Sequence, residues 1–454
     1  MDGIDFKDLD MLQSVSDNDV MLGYSPAAKK YGLISVGKIS RSQWCGCRWR
    51  KDSLTTEGEP CGSLPKIEKM ADLFGLGGYL VQNDHSRQKL DPDDHRYLLN
   101  GAAARLDGAM GHYQWGSGVV IYYATWEDET YTYEAVDTVP IPGRLNYRIP
   151  IFSRSCAGYA TIDRTNNRLV SYINTAAQYR GGNNDAAKDG KFNSLLGLPA
   201  SNIAVPTAAQ YARANGNLWF CNERVVFFIT AVLKRIYSHN RSVSALTGGG
   251  CSLPANWAED WGYYPYIPLS AGVELGDKTG TFSVNINDNG TTRAITGIPA
   301  FIGLKNDYKY LGAIEEDTLL LCEPDGTQSV WIDHNIDGHT FDVSKTAGKV
   351  MIGNTYQTGA AGWTYPKKQN LHNLCMFPIE NGGSPSTGYG DGYYNPFATS
   401  GLRGAYRLGN AGAGDRAGSV CLNGDHAPSA ADADCGVVLC EFKEAFSTEP
   451  ALYS

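Results

Sequence analysis

Nowhere in the 454 residues is there an unbroken apolar stretch of eighteen, so no membrane-spanning helix is expected and no membrane insertion. No run of Lys and Arg exceeds two, as at Lys29-Lys30 and Lys367-Lys368, and the formal net charge is −9. Nucleic-acid binding through a basic face is thereby excluded. The eleven cysteines include no CxxC pair and are odd in number, so neither a disulfide framework nor a thioredoxin-type motif is expected. Cys45-Gly46-Cys47 with Cys61 has zinc-ligand chemistry but lacks a fourth ligand at suitable spacing. Free thiols in a reducing compartment are the expectation, with no metal and no cofactor. The start, Met1-Asp2-Gly3-Ile4-Asp5, is acidic and has no apolar core, so no secretory signal is expected. Charged residues make up only 19%, below the usual quarter, while Gly (52) and Tyr (27) are abundant. That balance predicts a loop-rich α+β, β-rich protein with aromatic surfaces.

The sharpest absence is local. Residues Asn381 to Cys440 contain no Lys, Glu, Gln, Met or Trp, whereas the other 394 positions hold 61 of them. At that rate about nine should fall inside the window. A Gly-rich surface loop would lack Met and Trp, but loops are ordinarily rich in Lys, Glu and Gln. The five missing types are the ones that codons ending in a pyrimidine cannot encode. Randomising the first two bases of Asn codons would leave this gap.

What fills the window also has a pattern. It runs Gly404-Ala405-Tyr406-Arg407, Asn410 through Arg416, Ala417-Gly418-Ser419-Val420-Cys421-Leu422-Asn423, Ala427-Pro428-Ser429 and Cys435-Gly436-Val437-Val438-Leu439. This resembles the variable region of diversity-generating retroelement target proteins. Their pattern reads Gly-Gly-x-Trp, an Asn/Gly-rich run, Ala-Gly-x-Phe-x-Leu, Ala-Pro-Ser, then Gly-Phe-Arg. Here Tyr406 stands nearest the family Trp, and Val437-Val438 replaces Phe-Arg. The resemblance implies a C-type-lectin-like domain over residues 201–454 with a variable region at about 386–440. It further implies a phage tail-fibre protein that recognises a host bacterial surface receptor, protein or glycan. Localisation in the virion, after synthesis in a bacterial cytoplasm and release by lysis, follows from the same resemblance, as does a homotrimer.

Along the chain, residues 1–40 hold short apolar groups split by turns. Asp5 to Leu9, Asp17 to Leu22 and Ile34 to Ile39 resemble the attachment segments of phage tail fibres, which bind other tail proteins; an ordinary hairpin-rich N-terminus fits as well. Residues 41–200 read as a β-rich middle domain. Hairpins are expected at Val119–Trp126 with Thr130–Val136, and at Gly158–Asp163 with Arg168–Ile173. Pro140, Pro142 and Pro150 predict an edge strand between them. Helices are expected over Leu64–Phe74 and Pro92–Leu99. Asp84, His85, Asp91, Asp93, Asp94 and His95 have metal-ligand types, but such residues cap helices more often. The polar stretch Tyr179 to Gly190 marks the expected boundary. Beyond it, Asn222 is the expected cap of a core-facing helix to Ser238. Aromatic strands are expected around Trp257, Trp261, Tyr263, Tyr264 and Tyr266. Hairpins are expected at Phe282–Asn287 with Thr291–Ile295, and at Thr318–Cys322 with Ser329–Ile332. Glu323-Pro324-Asp325 and Trp331-Ile332-Asp333 echo the calcium motifs of vertebrate C-type lectins, but their spacing is too short, and Pro324-Asp325-Gly326 works as a turn.

The expected chemistry of the variable segment is binding, since Tyr, Ser, Gly, Asn, Asp and Arg on a rigid frame have the composition of antibody paratopes. Gly404, Gly418, Leu422 and Gly436 are the expected frame. The expected contact surface is Tyr406, Leu408, Asn410, Ala411, Ala413, Asp415, Arg416, Ser419, Cys421, Asn423, Asp425, His426, Ala431, Ala433 and Asp434. No catalytic residue is assigned. Two alternatives stay open. One is an enzyme, either of the formylglycine-generating fold with Cys435 and Cys440 or a glycan-cleaving spike with Asp333, His334 and Asp337. The other is a purely structural virion protein.

Overall fold

In the computed structural model, residues 20–25, 30–35, 44–181, 196–243, 246, 267–288, 291–397 and 400–453 are described. The protein is β-rich, with a few helices packed on antiparallel sheets. One six-stranded sheet runs in the order Ala451–Leu452, Leu145–Ile149, Ile121–Glu127, Tyr131–Asp137, Cys45–Arg50, Glu59–Gly62. A second six-stranded sheet is ordered Trp219–Cys221, Leu439–Phe442, Phe152–Ser155, His112–Gly116, Gly77–Val81, Arg87–Lys89. Both sheets draw strands from either side of residue 200, and one apolar core extends from Cys45 to Phe442. Packing therefore does not divide at the expected boundary. The reason is the strand Leu439–Phe442, which returns to pair with Phe152–Ser155 and Trp219–Cys221 together. Most of the stretch 179–190 lies outside the described residues, as do the five aromatics at 257–266. Most of the proposed attachment segment does too; within it, Val20–Ser25 and Lys30–Ser35 pair as an antiparallel hairpin.

All four hairpins expected from the sequence form. Ile121–Glu127 pairs with Tyr131–Asp137, and Thr161–Asp163 with Arg168–Val170. Gly280–Asp288 pairs with Thr291–Phe301, and Ala313–Cys322 with Gln328–Ile332. Asp128 and Asp325 close two of these turns by accepting hydrogen bonds from Thr130 N and Thr327 N. The strand Leu145–Ile149, between the prolines, is one place in from the sheet edge, covered only by Ala451–Leu452. Leu64–Glu68 and Met70–Phe74 are helical, split at Lys69. Pro92–Leu99 is not helical. Asp91 and Asp94 instead accept from the N–H two residues on, building turns.

The long helix Arg224–Ser238 forms as expected, and its cap corrects the sequence reading. Glu223, not Asn222, is the N-cap, its carboxylate accepting from Val226 N at 3.0 Å. Asn222 has a left-handed backbone (φ 54°) and is buried as a clamp. Its Nδ2 donates to the Ile314 carbonyl and its Oδ1 accepts from Val438 N. The helix is buried on all sides, including three of its charges. Arg224 pairs with Asp317 at 2.9 Å, Lys234 with Asp307 at 2.6 Å and Arg235 with Glu134 at 2.5 Å. Glu134 belongs to the first sheet, Asp317 to a strand of the third and Asp307 to the segment leading into it, so these pairs tie the layers together.

The third sheet carries the sixty-residue window. Its order is Val350–Asn354, Gln328–Ile332, Ala313–Cys322, Gly401–Arg407, Leu422–Asn423, Tyr393–Asn395, Gly362–Thr364. Among the described residues of this sheet, only the Tyr393–Asn395 and Leu422–Asn423 pair is parallel.

Candidate functional site

The window of residues 381–440 is a set of loops hung on central strands. Gly401–Arg407 sits between Ala313–Cys322 and Leu422–Asn423, and its last four residues are buried on both faces. Gly404 is required there, because a Cβ would lie 2.6 Å from Ile314 Cγ2. Leu408 and Gly409 then take left-handed conformations and turn the chain outward. Asn410 caps a 3-10 turn over Ala411–Arg416, accepting from Gly412 N at 3.0 Å. The chain returns under this turn. Gly418 N donates to the Leu408 carbonyl, and Val420 N donates to the buried Asp391 carboxylate at 2.9 Å. A Cβ on Gly418 would lie 2.1 Å from Asp391 Oδ1. Leu422 is fully buried, and at Gly436 a Cβ would meet Leu311 and Tyr159 at 2.9 Å. The four frame positions are thus held by sterics and burial.

The fifteen expected contact residues divide by exposure. Asp415, Arg416, Asp425 and Ala431 are exposed. Asn410, Ala411, Ala413, Asn423, His426 and Ala433 are half-buried. Tyr406 (2%), Leu408 (2%), Ser419 (8%), Cys421 (0%) and Asp434 (8%) are buried, which removes them from the contact surface and adds them to the frame. The physical reason is packing on both sides of the central strand. Tyr406 fills the space over Gly312, where a Cβ would lie 1.8 Å from its ring. It also stacks on His426, with centroids 4.3 Å apart and planes 12° from parallel. Its hydroxyl donates to Asp434 Oδ2 at 3.0 Å, and Asn410 Nδ2 donates to the same oxygen. Burial, then the Asp391 carboxylate, pushes the Cys421 thiol well above its usual range.

Residues that sequence reasoning missed extend the surface. The Arg416 guanidinium lies 5.4 Å from the Trp363 ring centre, and Trp363 packs edge-on to Tyr394 at 5.4 Å. Gly392 makes this approach possible, since a Cβ there would lie 2.8 Å from Arg416 Cβ and 2.9 Å from Trp363. All three side chains are at least partly accessible. Trp363 comes from Gly362–Thr364, outside the window, and carries no sequence signal that links it to Arg416. Half-buried aromatics beside an accessible Arg are the side chains enriched at binding hot spots.

The residues of the enzyme alternative do not assemble as that reading needs. Cys435 and Cys440 are buried free thiols, both pushed up by desolvation. A reactive thiol needs the opposite shift and access. Asp333 and Asp337 both face His339, Asp333 Oδ2 at 3.1 Å, while His334 turns away to Thr448 Oγ1 at 2.9 Å. The calcium-like motifs lie at opposite ends of one hairpin, Asp325 in its turn and Asp333 past its far end. Elsewhere Cys156, His95 and Asp277 stand in line, with Sγ to Nδ1 3.9 Å and Nε2 to Oδ1 2.8 Å. Cys156 and His95 are fully buried, and desolvation lowers His95 to about 4, so this line is a sealed polar core contact. A cleft of about 240 Å³ takes Tyr389 from the 381–440 window and is otherwise lined by Arg50, Trp126, Arg241, Lys367, Lys368 and His372 among others. Lys367 and Lys368 there both face Glu380.

No protein-family model matches this chain, and no curated protein matches its sequence.

Proposed function

We propose that this protein is a phage tail-fibre receptor-binding protein, which recognises a host bacterial surface ligand through the exposed loops of residues 410–434. The observation that carries the reading is the restricted alphabet of residues 381–440, which excludes five side-chain types at once. The geometry is consistent with such a source of variation. Positions that cannot change are glycines or buried residues wedged against the sheet, while Asp415, Arg416, Asp425 and Ala431 project from loops whose backbone bonds do not depend on them. The C-type-lectin-like fold belongs to the same proposal. It is supported by a long buried helix, then irregular strands with long loops, then a strand at 439–442 that closes onto earlier ones. Trimeric presentation of several such sites would raise avidity by about 10² to 10⁴ over one.

The test is genetic and direct. The gene is sequenced across related phages together with its flanking DNA. Substitutions should concentrate at codons matching adenines of a nearby near-duplicate beside a reverse transcriptase, and at exposed rather than buried positions. Variation spread evenly over the gene would refute the reading. Binding of the purified chain to host cells, competed by the same chain, is the biochemical counterpart.

A further inference from the structure

Three ligand-type side chains converge at the edge of the variable loops. His426, Asp432 and Cys435 place one ligand atom each within 4.8 Å of one another, with His426 Nδ1 and Asp432 Oδ2 3.5 Å apart. Donor atoms around a tetrahedral zinc, with bonds of about 2.0–2.3 Å, sit roughly 3.3–3.8 Å apart. The histidine and carboxylate are therefore already at ligand spacing, and the sulfur needs to close by about an ångström.

Each ligand residue is anchored by further contacts, most of them outside the trio. The Tyr406 ring stacks on the imidazole, and Gly404 N donates to the His426 carbonyl at 2.9 Å. The Asp432 carbonyl accepts from both Asn202 N and Cys435 N. Cys435 bridges to Gly312 in the adjoining strand region. The field at the sulfur is negative, with Asp434 Oδ1 3.9 Å away. Burial, then the carboxylates of Asp434 and Asp432, holds the thiol well above its usual range, and a bound cation reverses that field. Exposure is graded across the trio: Cys435 is buried, His426 half-buried and Asp432 exposed.

We propose that His426, Asp432 and Cys435 bind a zinc ion whose fourth position opens to solvent and takes an oxygen donor, carboxylate or hydroxyl, from the host surface ligand. Imidazole with thiolate selects zinc over calcium and magnesium. Binding releases one proton, the thiol becoming the zinc-bound thiolate. Three protein ligands plus one open position is the arrangement in which zinc exchanges its fourth partner. The ion site stands on the geometry alone, while its role in recognition rests on the receptor-binding reading.

The experiment uses the full chain, stripped with a chelator. Cobalt(II) titration should develop the near-ultraviolet absorption of a thiolate-bound cobalt at one equivalent. Zinc should displace it with a dissociation constant below about 1 μM. H426A and D432A, at half-buried and exposed positions that a folded chain tolerates, should each weaken zinc binding by more than about 100-fold. C435S should abolish the thiolate band. Absence of the band in the parent chain, or a band undiminished in all three variants, would overturn the site. The recognition role is read separately, from attachment of the protein to host cells. Chelation should reduce attachment and zinc restore it, and D432A should respond to neither. Metal-independent attachment with intact zinc binding overturns the role and leaves the site. Failure to attach under any condition counts against the receptor-binding reading itself, whatever the titration gives.

Discussion

Asp391 lies under the loops of residues 408–420, and its burial predicts that their support is sensitive to pH. Its side chain is fully buried, Oδ2 accepting from Val420 N, while Oδ1 has no hydrogen-bond partner among the described residues. Desolvation pushes its carboxyl up from 3.8 to about 7, against the Val420 hydrogen bond and the more distant Lys309, Arg235 and Lys234, which pull it down. The folded chain therefore holds this proton more tightly than the unfolded chain does. Between about pH 4 and 7 the folded state carries the extra proton, so stability falls as pH rises through that window. That rise corresponds to a ceiling of about 4 kcal/mol, of which about 2–3 kcal/mol falls between pH 5 and pH 8. Asp391→Asn removes the titration and keeps an oxygen for Val420 N. Its burial of an amide adds an offset that does not vary with pH. The decisive quantity is a double difference, mutant minus parent at pH 8 less the same at pH 5, in which every other titrating group cancels. Urea unfolding followed by tryptophan fluorescence measures it. The mutant should gain about 2–3 kcal/mol on the parent across that range. A double difference within about 0.5 kcal/mol of zero would show that the carboxyl is already ionised at pH 5 and that burial does not govern it.

Four further outcomes follow from the same packing. Gly418→Ala drives a methyl into the Asp391 carboxyl and should cost about 1–3 kcal/mol, seen as a lowered urea midpoint; an unchanged midpoint would mean the loop floor is loose. Arg235→Ala strands the Glu134 carboxylate in the core and should cost about 3–5 kcal/mol, with Arg235→Met in the Glu134→Leu background recovering most of it. Glu223→Ala removes the cap of the long helix and should cost about 0.5–2 kcal/mol, whereas Asn222→Ala, removing two buried clamp bonds, should cost at least as much. Asp415→Ala, Arg416→Ala and Trp363→Ala should change host-cell attachment while leaving stability within about 0.5 kcal/mol for the two exposed charges; attachment indifferent to all three would move the contact surface elsewhere.

The hairpins were legible because each joins two β-rich runs through a short polar turn, information that lies within twenty residues of chain. The long helix was legible for the same reason, through the spacing of Val225, Phe228, Val232 and Ile236. Its cap was not, because Asn222 and Glu223 are both competent, and the choice was made by Ile314 and Val438, some ninety and two hundred residues away. The sheets do not divide at the boundary expected near residue 200, for a related reason. A polar, Gly-rich stretch marks a surface loop, but a loop separates domains only if no strand crosses back, and Leu439–Phe442 crosses back. Pro92–Leu99 had a proline where a helix would begin, yet Asp91 and Asp94 spend their carboxylates on local turns instead.

Within the candidate site the limit is of another kind. Composition identifies a segment whose side chains come from a restricted set, but it is blind to which side of the backbone each one occupies. Tyr406 illustrates the difficulty. By residue type it is the best binding anchor in the segment, and by position it is the best frame residue, because Gly312 leaves a slot that its ring fills. Alternation would have separated the two roles in a strand with one wet face. Gly401–Arg407 ends dry on both faces, since the sheet is covered on each side, so alternation vanishes where the site begins. On the receptor-binding proposal, the same coverage explains why Trp363 completes the surface. A frame that buries its own aromatics leaves loops of Ala, Gly, Asp and Arg, and such loops acquire a hot spot by leaning on an aromatic supplied from another strand. A segment built this way can lose any exposed side chain without losing its fold, because the large apolar contacts that hold it are made by residues facing inward.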